Sequence, residues 1–269
     1  MSEPKVILVL IDGLAWSVAR ECTGYLSGLM EAGKASRYQL RCELPSLSRP
    51  LYECILTGVS PVNSGIVHNY VTRLSGQQSI FHLAHAAGLR TAAAAYYWIS
   101  ELYNRSPWQA QRDRHTHDES LPVQHGAFYF KDHYPDEHLF LDAEWLRQQY
   151  DPHFLLIHPM NIDDAGHQAG LNSADYRNQT RYTDTILSEF MPRWISEGYQ
   201  IVITSDHGMN DDRTHGGTME CERDVPLWLI GDAFSHSKQV HPLQTELCGL
   251  IASVLGIPHH KPVCQELLR

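Results

Sequence analysis

The chain has 269 residues, 43% of them hydrophobic and 19% charged, with 18 Gly and 14 Pro; this is enough apolar material for a full core and excludes a disordered or collagen-like chain. Lys and Arg number 21 against 31 Asp and Glu, a net charge of −10, which argues against a protein that grips a nucleic-acid backbone. No uncharged apolar run approaches the roughly 18–20 residues of a spanning helix, so neither a nucleic-acid polymer nor a membrane is an expected partner.

Val6–Ile11 (VILVLI) is the first apolar run, and Asp12-Gly13 end it with no small-residue cleavage site following. It reads as a core strand, not a signal peptide. Amphipathic helical stretches follow at about 14–32, 48–57 and 77–87. Thr91–Tyr97 (TAAAAYY) is a second buried strand. The segment 98–136 then has weak periodicity of either kind and many aromatic, charged and His residues, so it is expected to be a loop insertion or small cap over the sheet edge. A helix at about 137–150, the strand Phe154–His158, a helix at about 173–197, the strands Gln200–Thr204 and Pro226–Ile230, and a helix at about 245–255 complete the pattern. Alternating strands and helices predict one α/β domain over 1–269, with a mostly parallel β-sheet covered by helices on both faces. The six cysteines form no CxxC pair and no compact framework, so they are expected as reduced thiols in a cytoplasmic protein.

In such sheets ligands bind beyond the carboxyl ends of the strands. Three strands end in acidic segments: Asp12-Gly13, Asn161-Ile162-Asp163 and Ser205-Asp206-His207-Gly208. The fold would bring these distant clusters to one edge. Asp163 and His167 stand i, i+4 and share a face in one helical turn, where a carboxylate and an imidazole can meet one ion; alone, this spacing also fits a capping Asp beside an exposed His. Asp206-His207 sit at a strand end before Gly208, and His215-Gly216-Gly217 follows. Two His and one Asp there suit a borderline metal, while the bland reading is a capped turn with solvated histidines. Ser48 precedes Pro50 and the helical run Leu51–Thr57, so it reads as an N-cap. A helix N-terminus is also where a nucleophile would meet a phosphate.

Together IDG (11–13), LPSLSRPLYECILTGVSPVNSGIVHN (44–69), DDAGH (163–167) and SDHGM (205–209) resemble the nucleotide pyrophosphatase/phosphodiesterase branch of the alkaline phosphatase superfamily. The resemblance implies an alkaline-phosphatase-like core and two divalent metal ions, zinc expected and manganese the alternative. It implies that Asp12, Ser48, Asp206 and His207 bind one ion, with Ser48 the nucleophile in place of the commoner Thr. Asp163 and His167 would bind the other with a later His; His215 is the choice, and His236 and His241 are alternatives. The phosphoryl-binding Asn, 21 residues after the nucleophile, falls on Asn69. With two doubly charged cations, three carboxylates and a Ser48 alkoxide, the charges sum to about zero, and an anionic phosphoryl group can enter. Leu51 departs from the family's usual Asn.

The implied activity is that of a phosphodiesterase or nucleotide pyrophosphatase: hydrolysis of a small-molecule phosphoester through a phospho-Ser48 intermediate. Asn69, a neutral donor, favours diesters over monoesters. Phosphomonoesterase, C–P bond hydrolase, mutase and non-catalytic metal-binding module are the other readings. A sulfatase is disfavoured because Tyr52 stands where its activation string needs Arg. Tyr96, Tyr97, Trp98, Tyr103 and Trp108 offer either a stacking wall or core packing. Arg105, Arg112 and Arg114 offer either a second anion contact or solvated charge.

Overall fold

A computed structural model describes residues 3–237 and 239–269. Eight strands form one sheet: β1 (Val6–Ile11), β2 (Ala35–Arg41), β3 (Thr91–Tyr96), β4 (His115–His117), β5 (His125–Tyr129), β6 (Phe154–Ile157), β7 (Gln200–Ser205) and β8 (Asp224–Ile230). Their order is β2-β8-β7-β1-β6-β3-β5-β4. The central strands β7, β1, β6, β3 and β5 are mutually parallel, whereas β8 and β4 run antiparallel to their neighbours. The expected mostly parallel α/β sheet is therefore present.

The reason lies in the apolar runs. Every residue of β1 is buried, which requires cover on both faces. Val6, Leu8 and Leu10 pack with the helices Ser48–Thr57, Ile80–Ala86 and Leu247–Val254. Ile7, Val9 and Ile11 pack with Trp16–Cys22, Asp136–Tyr150 and Ala174–Ser196 on the other face. The strand period of two thus divides the core into two layers. All six cysteines are free, four of them buried. Among the described residues no helix is long and apolar enough to cross a membrane.

The structure departs from the local sequence pattern in three places. The stretch 14–32 is two helices, Trp16–Cys22 and Gly24–Glu31, separated at Thr23. Asp184, from the helix Ala174–Ser196, accepts from the N–H groups of Tyr25 and Leu26 at 2.7 and 3.2 Å. It caps a second helix start that the local pattern does not show. The segment 98–136, expected as a loop insertion or small cap, carries regular elements that local periodicity does not show. It begins with the short helices Trp98–Tyr103 and Ala110–Asp113, then supplies β4 and β5, which widen the sheet sideways. Finally, β2 alternates in burial, with Tyr38 and Leu40 inside and Gln39 and Arg41 outside. It has no continuous apolar run to mark it.

Candidate active site

The carboxyl ends of β1, β6 and β7 lie side by side because these strands are adjacent and parallel. β1 delivers Asp12, β7 delivers Asp206 and His207, and the helix Asn161–Ala169 after β6 delivers Asp163 and His167. The turn at Gly13 is tight. Its φ is +71°, and a Cβ there would lie 2.7 Å from Asp163 Oδ1, so glycine is required on both counts. Gly13 N–H donates to Asp206 Oδ1 at 3.2 Å, and Tyr176 fixes the same turn by donating to Gly13 O and accepting from Ala15 N–H.

Ser48 opens the helix Ser48–Thr57, but Leu47 occupies the N-cap position and no side chain caps it. The N-cap role expected of Ser48 is therefore replaced by another. Its hydroxyl lies 3.0 Å from His207 Nε2. Pro50 sits in the first turn, where its missing N–H costs no helical bond. Asn69 comes alongside because its side-chain oxygen accepts from Arg49 N–H at 3.1 Å. Arg49 itself faces away: its guanidinium is buried, 2.7 Å from Glu101 and stacked over Trp98.

Two ligand groups result. Atoms of Asp12, Asp206 and His207 lie within 4.8 Å of one another, as do atoms of Asp163, His167 and His215. The groups adjoin, since the His207 and His215 rings stack with centroids 3.6 Å apart. Each imidazole is held by a backbone carbonyl opposite its Nδ1: Gly208 for His207, Arg213 for His167 and Ser46 for His215, at 2.7–2.9 Å. An Nδ1–H directed to a carbonyl leaves Nε2 as the free lone pair, the tautomer a metal requires. Ser46 also ties the two loops together: its hydroxyl donates to Gly217 O and accepts from Gly216 N–H. His236 instead bonds Ser36 and Gly231 at the other end of β8, and His241 is exposed beside β2; neither joins a ligand group.

The residues present fit divalent cations. Asp12 Oδ1, Asp163 Oδ1 and Asp206 Oδ2 are buried with no hydrogen-bond partner, one orphaned oxygen on each acid. Such atoms are costly unless a cation satisfies them. Burial and the neighbouring Asp12 charge push the Asp206 carboxyl well above the usual range and the Asp163 carboxyl in the same direction. For Asp12, burial acts upward but hydrogen bonds from His158 and Tyr52 and the nearby His207 outweigh it, so its carboxyl is lowered. Burial and His207 depress His215 to about 4. His167, 43% exposed at the open side, is raised to about 9 by its hydrogen bond to Asp163. Mixed oxygen and nitrogen donors suit zinc or manganese.

Two residues at the site escaped the sequence reading. His158, the last residue of the run Phe154–His158, is fully buried with Nε2 3.3 Å from Asp12 Oδ2. Tyr52 donates its hydroxyl to the same oxygen. A polar residue ending a buried strand was the available signal for His158; Tyr52 stands i+4 from Ser48 and so shares its helix face. Of the aromatic wall, Tyr96 and Tyr103 are buried, whereas Trp98 backs Arg49. Arg105 and Arg112 are paired with Asp118 and Asp113.

Residues 6–223 match the family model for type I phosphodiesterase / nucleotide pyrophosphatase. The chain belongs to this family, a branch of the alkaline phosphatase superfamily. Among curated relatives, the human GPI ethanolamine phosphate transferase 2 catalytic subunit is 24% identical over 283 residues, covering 98% of this chain and 27% of its own length. The mouse GPI ethanolamine phosphate transferase 3 catalytic subunit is 22% identical over 289 residues, covering 94% and 24%. The chain thus spans about a quarter of the length of these relatives. Murine ectonucleotide pyrophosphatase/phosphodiesterase 5 shares the fold with a TM-score of 0.78 at 15% identity, covering 98% of this chain and all of that one. A 2-O GAG sulfatase superposes with a TM-score of 0.66 at 13% identity, covering 96% of this chain and 72% of that one.

Proposed function

We propose that this chain cleaves small-molecule phosphodiesters or pyrophosphate-linked nucleotides through a phosphoserine on Ser48. In this reading Asp12, Ser48, Asp206 and His207 hold one divalent cation, and Asp163, His167 and His215 hold a second. The observation that carries it is the convergence of three partnerless buried carboxylate oxygens and three Nε2 atoms beside one helix-terminal hydroxyl. When bound, the ions would supply the charge that lowers the serine pKa and steadies the phosphoryl and leaving oxygens.

The chain's own residues do the rest. Ser48 gives up its hydroxyl proton as Oγ bonds to phosphorus and the bond to the leaving oxygen breaks, and the departing alcohol or phosphate takes up a proton. Asn69, its oxygen engaged by Arg49 N–H, directs its amide NH2 at a non-bridging oxygen. An acceptor hydroxyl then attacks the phosphoserine, loses its proton and frees Ser48. Water as acceptor gives hydrolysis, and an alcohol gives transfer. The ethanolamine phosphate transferase names of the curated relatives favour transfer as a second reading. An inactive threonine-to-alanine variant of the murine phosphodiesterase, solved with AMP, accords with a hydroxyl nucleophile and nucleotide substrates.

The test is a panel of an aryl phosphodiester, a dinucleotide pyrophosphate, glycerophosphoethanolamine and an aryl monoester. It is run with zinc, manganese or chelator, and with or without an added alcohol. Diester turnover that needs metal and Ser48 supports the proposal, and phosphoryl alcohol product separates transfer from hydrolysis. Full activity in the Ser48→Ala variant, or no diester turnover with either metal, would sink it.

A further inference from the structure

The His158 imidazole and the Tyr52 hydroxyl meet at one oxygen of Asp12. The His158 Nδ1 faces Tyr96 N–H at 3.4 Å and the Tyr129 hydroxyl at 3.3 Å, while Nε2 faces the Asp12 carboxylate, an acceptor only, so Nε2 carries the proton. Nε2–H then donates to Asp12 Oδ2 at 3.3 Å. Tyr129 holds the same residue from behind, donating its hydroxyl to His158 O at 2.7 Å. Tyr52 comes from the opposite layer: it lies on the nucleophile helix, packs edge-on against the His158 ring at 4.6 Å, and donates to the same Oδ2. Both rings are fully buried. Asp12 Oδ2 therefore has two donors. Oδ1 has none and lies 3.4 Å from His207 Nε2.

We propose that His158 and Tyr52 are positioning residues that hold Asp12 by Oδ2 and so present Oδ1 alone to the cation beside Ser48. The inference rests on the two-metal reading above and adds who orients its first ligand. The physical reason is that a carboxylate with both oxygens free can swing between one- and two-oxygen binding. Two donors on one oxygen fix the rotation of the group and the direction of the remaining lone pairs. Because Tyr52 and Ser48 stand on one helix face, the same rigid element sets the nucleophile and the ligand that flanks it. Nothing comparable holds Asp163, whose Oδ2 meets only the exposed His167 at 3.3 Å. The two ions should therefore respond differently to loss of this pair.

Zinc is titrated into the chelator-stripped full chain against a chromophoric chelator, for wild type, Tyr52→Phe, His158→Phe and His158→Gln. Wild type should take up two equivalents. Tyr52→Phe and His158→Phe should each weaken one equivalent by roughly 10–100-fold and leave the other unchanged. His158→Gln, which keeps an amide donor, should recover part of the loss. In turnover, excess zinc should restore much of the rate, which a general structural defect would not allow. Melting of the metal-free variants reads the structural share separately, and Tyr52→Phe removes one oxygen only, so it remains informative if His158→Phe does not fold. Two equivalents bound as tightly as in wild type, or both weakened together with the melting temperature, would overturn the proposal. A wild-type chain that takes up no zinc would instead overturn the two-metal reading, and this inference with it.

Discussion

The side-chain oxygen of Asn69 accepts a hydrogen bond from the backbone N–H of Arg49, 3.1 Å away, while the Arg49 guanidinium points into the protein and pairs with Glu101. The residue next to Ser48 thus lends its backbone to orient a neutral amide and withholds its charge. A monoester dianion needs more compensation than a diester monoanion, usually from Arg, Lys or a further ion. We expect kcat/KM for an aryl phosphodiester to exceed that for the matching monoester. Asn69→Ala should lower the diester rate by roughly 10²–10³-fold. Comparable or faster monoester turnover would refute the preference.

Ser48 is not a capping residue, so its removal separates chemistry from stability. Replacing a true N-cap typically costs about 0.5–2 kcal/mol. Ser48 contributes one hydrogen bond to His207 and none to the helix backbone. Ser48→Ala should melt near wild type and retain metal at the Asp163–His167–His215 group, yet lose nearly all turnover. Thermal melting, zinc content and rate on the one variant decide this; a clear loss of stability with the rate preserved would return Ser48 to an ordinary helix-start role.

Much of this site was legible because a parallel sheet turns sequence-distant strand ends into neighbours. Asp12, Asp163 and Asp206 each follow an apolar run, and the rule for strand carboxyl ends gathers them without any local signal. Ser48 and Asn69 needed the family register, since by pattern alone one is a helix-start serine and the other a loop residue. His158 and Tyr52 were not legible in the same way. Their hydrogen bonds to Asp12 cross between layers, and a buried Tyr or a strand-ending His carries no periodic mark of its partner. The strands β2 and β4 escaped for a related reason: β2 alternates in burial, and the three-residue β4 is too short to show a period.

Gly13 is a place where one methyl group should matter. Its φ of +71° strains any L side chain, and the added Cβ would strike Asp163 at 2.7 Å. Backbone strain of this kind costs about 1–3 kcal/mol. Gly13→Ala should lower the melting temperature and, by displacing Asp163 and the N–H on Asp206, weaken zinc at both ligand groups. Competition with a chelator measures the second effect, and wild-type zinc affinity in this variant would show that the turn has room.

Metal removal should expose a pH dependence whose sign follows from the acids. In the metal-free fold the Asp163 and Asp206 carboxyls are raised, by burial first and by Asp12 next. His167 is raised to about 9, chiefly by Asp163. A group whose folded pKa exceeds its unfolded value makes the native state bind more protons, so stability falls as pH rises towards the folded value. His207 and His215 are depressed and act oppositely, but that effect is complete once the pH passes their ordinary value of about 6.5. Between about pH 6.5 and 9 the His167 shift remains, and it lowers stability as pH rises, the same sign as the raised carboxyls. The chelator-stripped chain should therefore melt at progressively lower temperature across this window. Zinc, which would satisfy the ionised carboxylates, should raise the melting temperature most at the alkaline end, because deprotonated ligands bind it best. A melting temperature that is flat with pH in chelator, or a zinc effect largest at the acid end, would show that the crowded carboxylates are neutralised by something other than protons or metal.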